Sequence, residues 1–164
     1  MENPKHIRMF AGHYHFLSNF YPSPIVIDGV FAAPTVEHGY QAWKAIRMED
    51  AVSILKCKSP GQTKRVARSI EHRPDWDEVK LSVMEYMLSL KFARNSVLGA
   101  RLIATGDAYL TEGNTWGDCF WGVCNGVGEN HLGRLLMERR AFLNHQIQAW
   151  NIAVDHSVVS YMKE

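Results

Sequence analysis

Residues 77 to 93, DEVKLSVMEYMLSLKFA, restrict the fold more than any other segment of the chain. Apolar side chains recur there every three or four residues, which is the spacing that places them on one face of an α-helix. The residues that follow this period are Val79, Val83, Tyr86, Met87 and Leu90. A helix of this kind has to bury its apolar face against other elements, so the segment predicts a packed helix.

Other segments predict shorter helices and a few strands. Helical spacing or capping favours helices around 50–57, 61–70, 96–105 and 130–145. Asp28 and Gly29 supply the two positive-φ positions of a type I′ turn, which predicts a hairpin between residues 25–27 and 30–31. Residues 108–111 and the C-terminal WNIAVDHSVVS read as further short strands. The predicted fold is α+β and predominantly α-helical.

Composition narrows the possible functions. A chain of 164 residues is expected to form a single domain, residues 1–164, with its own core. Its formal net charge of +1 is unlike the basic excess of proteins that bind duplex nucleic acid through phosphates. Three cysteines without a C-x-x-C pair, no signal-peptide pattern and no apolar run of membrane-spanning length predict a cytoplasmic protein with no membrane partner.

The segment TVEHGYQAWKA, residues 35–45, carries a candidate site. Thr35 is suited to cap a helix over 36–48, on which Glu37, Gln41 and Lys44 share one stripe. Glu37 falls in the first turn, where the helix dipole favours an ionised carboxylate. The stripe suits either a solvent-exposed helix face or, since Tyr40 and a tryptophan flank it, a cleft lined with aromatic rings.

The segment FLSNFYPSP offers a second set of candidates around Ser18, Asn19 and Phe20. One interpretation is that Ser18 and Asn19 form a turn while Phe20 joins the core. The alternative is that the Asn19 amide contacts a ligand while Phe20 stacks on a flat ring.

The segment SPGQTKRVAR places positive charge on the helix expected at 61–70. Arg65 and Arg68, together with Lys64, favour either a phosphate-binding cluster near a helix N-terminus or a solvated basic face. The Walker glycine and lysine pattern is absent from this segment.

Residues 113–130, GNTWGDCFWGVCNGVGEN, combine glycines with Trp116 and Trp121 and are typical of a loop that builds a site. Cys119, Cys124 and His131 lack the spacing of a closed zinc site, so no metal is expected. The chain also lacks the nucleophile elbow and the dinucleotide fingerprint, and no cofactor is expected.

Taken together, these segments resemble the YbiA-like family, also called NADAR, over about residues 14–143. The resemblance is carried by FLSNFYPSPIVIDGVFAAPTVEHGYQAWKA, SPGQTKRVAR, RPDWDEVKLSVMEYMLSLKFARN, LIATGDAYLTEGN and FWGVCNGVGENHLGRLLMERR. It implies a mainly helical domain with N-glycosidase activity, which cleaves the bond between ribose C1 and an amine. It also implies two substrate groups: phosphorylated ribosylamino-pyrimidines of riboflavin biosynthesis, and ADP-ribose attached to guanine.

The resemblance places the family's acidic position on Glu37, its site tryptophan on Trp121 and a loop acid on Asp118. Some relatives carry an aspartate two residues after that tryptophan, where this chain has Val123. Asp118 either takes that role from the other side of Trp121, or the alignment shifts onto Trp116. Predicted substrate contacts are Ser18, Asn19, Phe20, Tyr40, Gln41, Arg65, Arg68, Trp116 and Asn130.

The implied chemistry gives these residues roles. Breaking an N-glycosidic bond develops positive charge on ribose C1 and O4, which an ionised Glu37 stabilises. Lys44 is expected to pair with phosphate, to hold Glu37, or to attack C1 as an amine of lowered pKa. The rival hypotheses are a module that binds ADP-ribose or a nucleotide without cleaving it, and a structural protein with a degenerate site. Among enzyme substrates, the near-neutral charge favours a small nucleotide or a modified single-stranded end.

Overall fold

Helix α4, Trp76–Lys91, confirms the helix predicted at 77–93 and lies at the centre of the core. A computed structural model describes residues 4–93 and 96–161, with side chains as far as residue 151. On α4, Val83, Met84, Met87 and Leu88 are buried, as the helical spacing requires. Helices α1 and α6 and strand β2 pack against it, so one apolar cluster joins the N-terminal and C-terminal halves.

The other helices of the described residues are short, apart from the last. A 3-10 helix covers Gly12–Leu17. The α-helices are α1 (Val36–Ala42), α2 (Met48–Leu55), α3 (Pro60–Ala67), α4, α5 (Val97–Ile103) and α6 (His131–Tyr161). Side chains of Thr35, Ser59 and Ser96 cap α1, α3 and α5 by accepting hydrogen bonds from backbone amides in the first turn.

Strands in the described residues form three two-stranded sheets. These are β1 (His6–Ile7) parallel to β4 (Tyr109–Leu110), β2 (Ile25–Ile27) antiparallel to β3 (Phe31–Ala33), and β5 (Gly113–Asn114) parallel to β6 (Val123–Cys124). The short strands and dominant helices confirm the predicted α+β class. The hairpin turn is also confirmed, because Asp28 and Gly29 have φ of 50° and 71° and the Val30 amide donates to the Ile27 carbonyl.

The prediction of one helix over residues 36–48 is wrong, because α1 ends at Ala42. The backbone then leaves the helix, and the Lys44 carbonyl accepts a 2.8 Å hydrogen bond from the Arg73 amide. Ala45 forms an isolated bridge with His72 next to it. These contacts with a distant segment replace the hydrogen bonds that a continued helix would make. Lys44 therefore lies beyond the helix that carries Glu37.

Gly39 explains why a poor helix former stands inside α1. A Cβ at this position would lie 2.6 Å from Met87 Sδ and 3.1 Å from Ile27 Cδ1. The missing side chain therefore allows α1 to approach α4 and β2 closely. This contact offsets the roughly 1 kcal/mol of helix propensity that glycine lacks relative to alanine.

The strand predicted for WNIAVDHSVVS is wrong, because residues 150–160 continue helix α6. The β-branched residues of this segment suit a strand locally. The helix that begins at His131 extends through them without a break, and no described strand lies in this part of the chain. Although α6 is long, no helix among the described residues is apolar enough over its length to cross a bilayer.

Candidate functional site

A cavity of about 550 Å³ opens between α1, α3, α4 and the loop that joins β5 to α6. Its volume is in the range of cavities that bind small molecules. Its lining residues are Ser18, Asn19, Phe20, Glu37, Tyr40, Gln41, Lys44, Gly61, Lys64, Met84, Glu112, Trp116, Asp118, Trp121 and Leu132. Segments from positions 18 to 132 therefore converge on one space.

Glu37 lies on the wall formed by α1 and is only 5% exposed. Its backbone amide donates to the Asn19 carbonyl at 3.1 Å, which ties the start of α1 to the Ser18–Phe20 segment. Gln41 Nε2 donates to Glu37 Oε1 at 2.8 Å from one turn later. Both side chains are buried, so the alternative of a solvent-exposed stripe does not hold for them.

Burial dominates the electrostatics of Glu37. Desolvation raises the pKa of Glu37 above its ordinary value, while Lys64, the Gln41 hydrogen bond and Lys44 oppose that rise. Glu37 lies in the first turn of α1, as expected from the sequence, and Lys64, the Gln41 hydrogen bond and Lys44 favour its charged form.

Lys44 and Lys64 bring positive charge to the cavity from two sides. Lys44 Nζ lies 5.4 Å from the ring centres of both Tyr40 and Trp76, so it rests on aromatic surface. Burial lowers the pKa of Lys44, while Glu37 raises it. Lys64 Nζ lies 5.5 Å from the centre of the Phe20 ring. Over residues 4–93 and 96–151, whose side chains the structure describes, neither ammonium group has a carboxylate within 4 Å.

Asp118 is held on the cavity wall by its own loop. The Asn114 side chain donates to the Asp118 carbonyl at 2.7 Å and accepts from the Asp118 amide at 3.0 Å. Asp118 Oδ1 in turn accepts from the amides of Phe120 and Trp121, at 3.2 and 2.9 Å. The loop is therefore a built structure that fixes the carboxyl group and the following tryptophan together.

Aromatic rings form the rest of the walls. Trp121 contacts Tyr40 edge to face, with ring centres 5.4 Å apart, and Tyr40 contacts Trp76 at 5.0 Å. Trp116 lines the same cavity and is 66% exposed, while Phe20 is 40% exposed rather than part of the core. The sequence left open whether Trp121 or Trp116 is the site tryptophan. Both tryptophans and Asp118 line the same cavity, so both alignments place their residues at the site.

The Ser18–Phe20 wall depends on a buried lysine. Lys91 on α4 is 3% exposed, and its Nζ donates to the Ser18 carbonyl at 2.7 Å. Asn19 is buried, and its Nδ2 donates to Met84 Sδ at 3.4 Å. Ser18 and Asn19 do form a bend in the chain, but they also line the cavity.

Some residues assigned to the substrate from sequence lie elsewhere. Arg65 and Arg68 are outside the cavity lining, and Lys64 from the same helix takes the position expected for them. Asn130 is buried away from the cavity: its Oδ1 accepts from the Glu112 amide at 3.1 Å, and its Nδ2 donates to the Leu110 carbonyl at 2.8 Å. Asn130 therefore positions the chain at the end of β4.

Glu112 is the lining residue that sequence reasoning missed. It follows strand β4 as one carboxylate in AYLTEG, without a partner at helical or strand spacing. Burial, with Asp118 next in effect, raises the pKa of Glu112 to about 7. The only local signal was its position directly before the glycine-rich loop.

Three acceptor oxygens on the cavity-lining residues are buried without a hydrogen-bond partner among the described residues. They are Asn19 Oδ1, Gln41 Oε1 and Glu112 Oε2. An unpaired buried acceptor costs about 1–3 kcal/mol, so clustering three of them at one cavity is typical of a functional site.

The described side chains do not match the ligand sets that bind metal ions. Over positions 4–93 and 96–151, where side chains are described, no cluster of three or more histidine, cysteine, aspartate or glutamate side chains is arranged to hold an ion. The carboxyl groups at the cavity instead face lysines and one another.

Known proteins resemble this chain in both sequence and overall fold. A riboflavin biosynthesis protein of Vibrio vulnificus is 36% identical over 140 residues, which cover 84% of this chain and 38% of that protein. An N-glycosidase YbiA of Shigella boydii is 40% identical over 130 residues, which cover 77% of this chain and 80% of that protein. The NMR structure of the E. coli protein YbiA superimposes with a TM-score of 0.76 at 34% identity, over 88% of this chain and 91% of that one. The NADAR domain matches residues 8–144, and this chain belongs to the NADAR domain family.

Proposed function

We propose that this protein is an N-glycosidase that hydrolyses the bond between ribose C1 and an amine nitrogen. The observation that carries the proposal is the buried Glu37 carboxyl group, which shares one cavity with Asp118, Lys44 and Lys64. Carboxyl groups beside a sugar carbon supply both charge stabilisation and proton transfer in glycoside hydrolysis. The name of the Shigella boydii relative, an N-glycosidase, supports the reaction class.

Glu37 is assigned to the reacting carbon. As the C1–N bond lengthens, positive charge develops on C1 and O4, and a nearby carboxylate stabilises that state more than the ground state. The raised pKa of Glu37 also makes it a competent base for the attacking water. Gln41 holds the carboxyl group in place through its hydrogen bond to Oε1.

Phosphate recognition is assigned to Lys64 and Lys44, which both line the cavity with Glu37. Because neither ammonium group is paired with a carboxylate within 4 Å among the described residues, both are available to an anionic substrate. A phosphate bound near Lys64 also brings a second negative charge close to Glu37. This charge raises the pKa of Glu37 and so disfavours its ionised form. The proposed substrates are therefore ribosyl phosphates or ADP-ribosyl groups attached to an amine.

The leaving base is assigned to the aromatic walls. Trp121 and Tyr40 form an edge-to-face pair at the cavity. Trp116, which precedes Asp118 in the sequence, is exposed and also lines the cavity. Flat rings offer stacking surface to a pyrimidine or a guanine. The two substrate groups proposed are a phosphorylated ribosylamino-pyrimidine and ADP-ribosylated guanine.

A parallel incubation tests this function. The purified protein is mixed with the ribosylamino-pyrimidine phosphate and, separately, with an ADP-ribosylated guanine oligonucleotide, and released ribose phosphate or ADP-ribose is quantified. We expect catalytic release from one of them. Tight binding of both substrates without release of product would contradict the proposal and would indicate a binding module instead.

Lys44 gives a second route to the same products. Burial lowers its pKa, which enlarges the fraction of neutral amine able to attack C1 and form a Schiff base with the opened sugar. Borohydride added during turnover separates the routes. Labelling of the wild type and not of Lys44→Ala indicates the covalent route, whereas no labelling of either indicates direct attack by water.

A further inference from the structure

Glu112 has a fixed backbone position at the cavity. Its amide donates to Asn130 Oδ1 at 3.1 Å, and its carbonyl accepts from the Val123 amide at 2.9 Å. Gly122 leaves room for it, since a Cβ there would lie 2.2 Å from the Glu112 carbonyl oxygen and 3.2 Å from its Cγ. Two parts of the chain, residues 122–123 and Asn130, thus fix the Glu112 backbone at the cavity wall.

The Glu112 carboxyl group differs from that of Glu37 in its partners. Glu37 accepts a hydrogen bond from Gln41, whereas Glu112 Oε2 is buried without a hydrogen-bond partner among the described residues. A carboxyl oxygen that accepts no hydrogen bond holds a proton more readily than a carboxylate that accepts hydrogen bonds.

The charged groups around Glu112 act in both directions. Asp118 and Glu37 raise its pKa, Lys64 and Lys91 lower it, and burial is the largest influence. The resulting pKa of about 7 leaves a large protonated fraction at neutral pH. Carboxyl groups at one site whose surroundings differ in this way divide into a proton donor and a proton acceptor.

We propose that Glu112 is the proton donor to the leaving amine, a role that rests on the N-glycosidase function proposed above. An amine is a poor leaving group as its anion, so cleavage of the C1–N bond needs a proton on nitrogen. Glu112 lines the cavity together with Glu37 and Asp118, and its Oε2 has no hydrogen-bond partner among the described residues.

The electron pair of the C1–N bond moves to nitrogen, which takes the Glu112 proton and departs as the neutral amine. Water adds to the cationic C1 and transfers one of its protons to the Glu37 carboxylate. Exchange with solvent returns the proton to Glu112 and removes it from Glu37, so the net reaction consumes one water.

A purely structural role of Glu112 would affect activity differently from a proton-donating role. Glu112 lowers the free energy of the buried Lys91 ammonium, and Lys91 holds the Ser18 carbonyl. If that were its whole role, removing the carboxyl group would loosen the Ser18–Phe20 wall and weaken every substrate alike. A proton donor instead matters for amines that need protonation and gives the reaction a pH dependence.

The test compares the wild type with Glu112→Gln, Glu112→Asp and the exposed control Glu138→Gln. Each is assayed on two ribosyl phosphates, one with an arylamine leaving group and one with a pyridinium group, which departs neutral without a proton. We expect Glu112→Gln to lose roughly 100-fold or more in kcat on the arylamine and less than about 3-fold on the pyridinium. Wild-type kcat/KM on the arylamine should fall as pH rises through about 7, and Glu112→Gln should lack this limb.

Glu112→Asp keeps an acid and should retain the limb at a lower rate, which guards against a folding defect in the glutamine variant. A limb that persists in Glu112→Gln, or equal losses on both substrates, overturns the assignment. If the wild type is inactive on the pyridinium compound, the pH dependence of kcat/KM on the arylamine substrate alone tests the role of Glu112. A wild type without activity on any ribosylamine overturns the proposed function, whereas an active wild type matched by Glu112→Gln removes only the role of Glu112.

Discussion

Gln41 Nε2 donates a 2.8 Å hydrogen bond to Glu37 Oε1 on the cavity wall that α1 forms, and both side chains are buried. The two residues are four positions apart on α1, so their facing geometry follows directly from the helix. The bond orients a carboxyl group that burial would otherwise leave costly to ionise. It is therefore the contact on which the proposed chemistry of Glu37 depends.

Glu37→Gln should preserve the fold and lose most of the activity. The amide has nearly the same shape, but it carries no charge to stabilise the developing cation. Preorganised electrostatic groups of this kind contribute about 3–4 kcal/mol, so kcat should fall roughly 100- to 1,000-fold with a smaller change in KM. Steady-state kinetics and a thermal melt measure both properties. The exposed Glu49→Gln is the matched control. Retention of more than about a tenth of wild-type kcat, with chemistry rate-limiting, would remove Glu37 from the mechanism.

Trp121→Ala should reduce activity more than its effect on stability explains. Trp121 lines the cavity and packs against Tyr40, whereas Trp150 is 60% exposed and outside the cavity. We expect a fall in kcat/KM of roughly 10-fold or more, because loss of a stacked aromatic contact costs about 1–3 kcal/mol. Trp150→Ala is the control. Equal losses of activity at equal melting temperature would show that Trp121 has no special place in the site.

Lys64→Gln should weaken substrate binding, and Arg68→Gln should do so much less. Lys64 lines the cavity, whereas Arg68, which directly follows the same helix, does not. A charge-assisted contact to phosphate contributes about 1.5–3 kcal/mol, so KM should rise roughly 10- to 100-fold for the lysine variant. Titrating KM against salt gives a second measure, since the wild type should lose affinity with salt more steeply than Lys64→Gln. Similar KM values for the two variants would argue for a diffuse basic face.

Lys91→Met should change how stability depends on pH. Burial lowers the pKa of Lys91 from 10.5 to about 7, with Glu112 opposing the shift. Between about pH 7 and 10.5 the unfolded chain keeps a proton that the folded protein releases, so the free energy of unfolding contributed by Lys91 rises with pH in this window. Urea unfolding at several pH values should show the wild type gaining on Lys91→Met from pH 7 to 10. A constant difference would mean that the lysine stays charged in the fold.

Activity should survive treatment with EDTA. The charges assigned to the reaction are those of carboxyl groups and lysines at the cavity, which need no ion to act. The measurement is kcat/KM before and after chelation and dialysis. Loss of turnover that zinc or magnesium restores would require a different account of the site.

Local patterns in the sequence correctly predicted the elements that bear the site. The period of α4, the Asp28–Gly29 turn and the Thr35 cap each depend on residues within a few positions of one another, and the structure has all three. The Glu37–Gln41 pairing is of the same kind, because four residues on a helix make one turn. Such features follow from backbone geometry and need no knowledge of the remaining chain.

The positions of Lys44, Lys64, Lys91 and Glu112 were decided by the tertiary structure. α1 stops early because the Arg73 amide, 29 positions after Lys44, takes the Lys44 carbonyl. Lys91 reaches Ser18 across 73 positions, and Asn130 fixes the Glu112 amide across 18. Their burial, and with it the altered pKa values of Lys91 and Glu112, exists only once these segments meet. Short-range sequence patterns carry no record of such contacts, because desolvation and charge pairing depend on which distant groups share the same space.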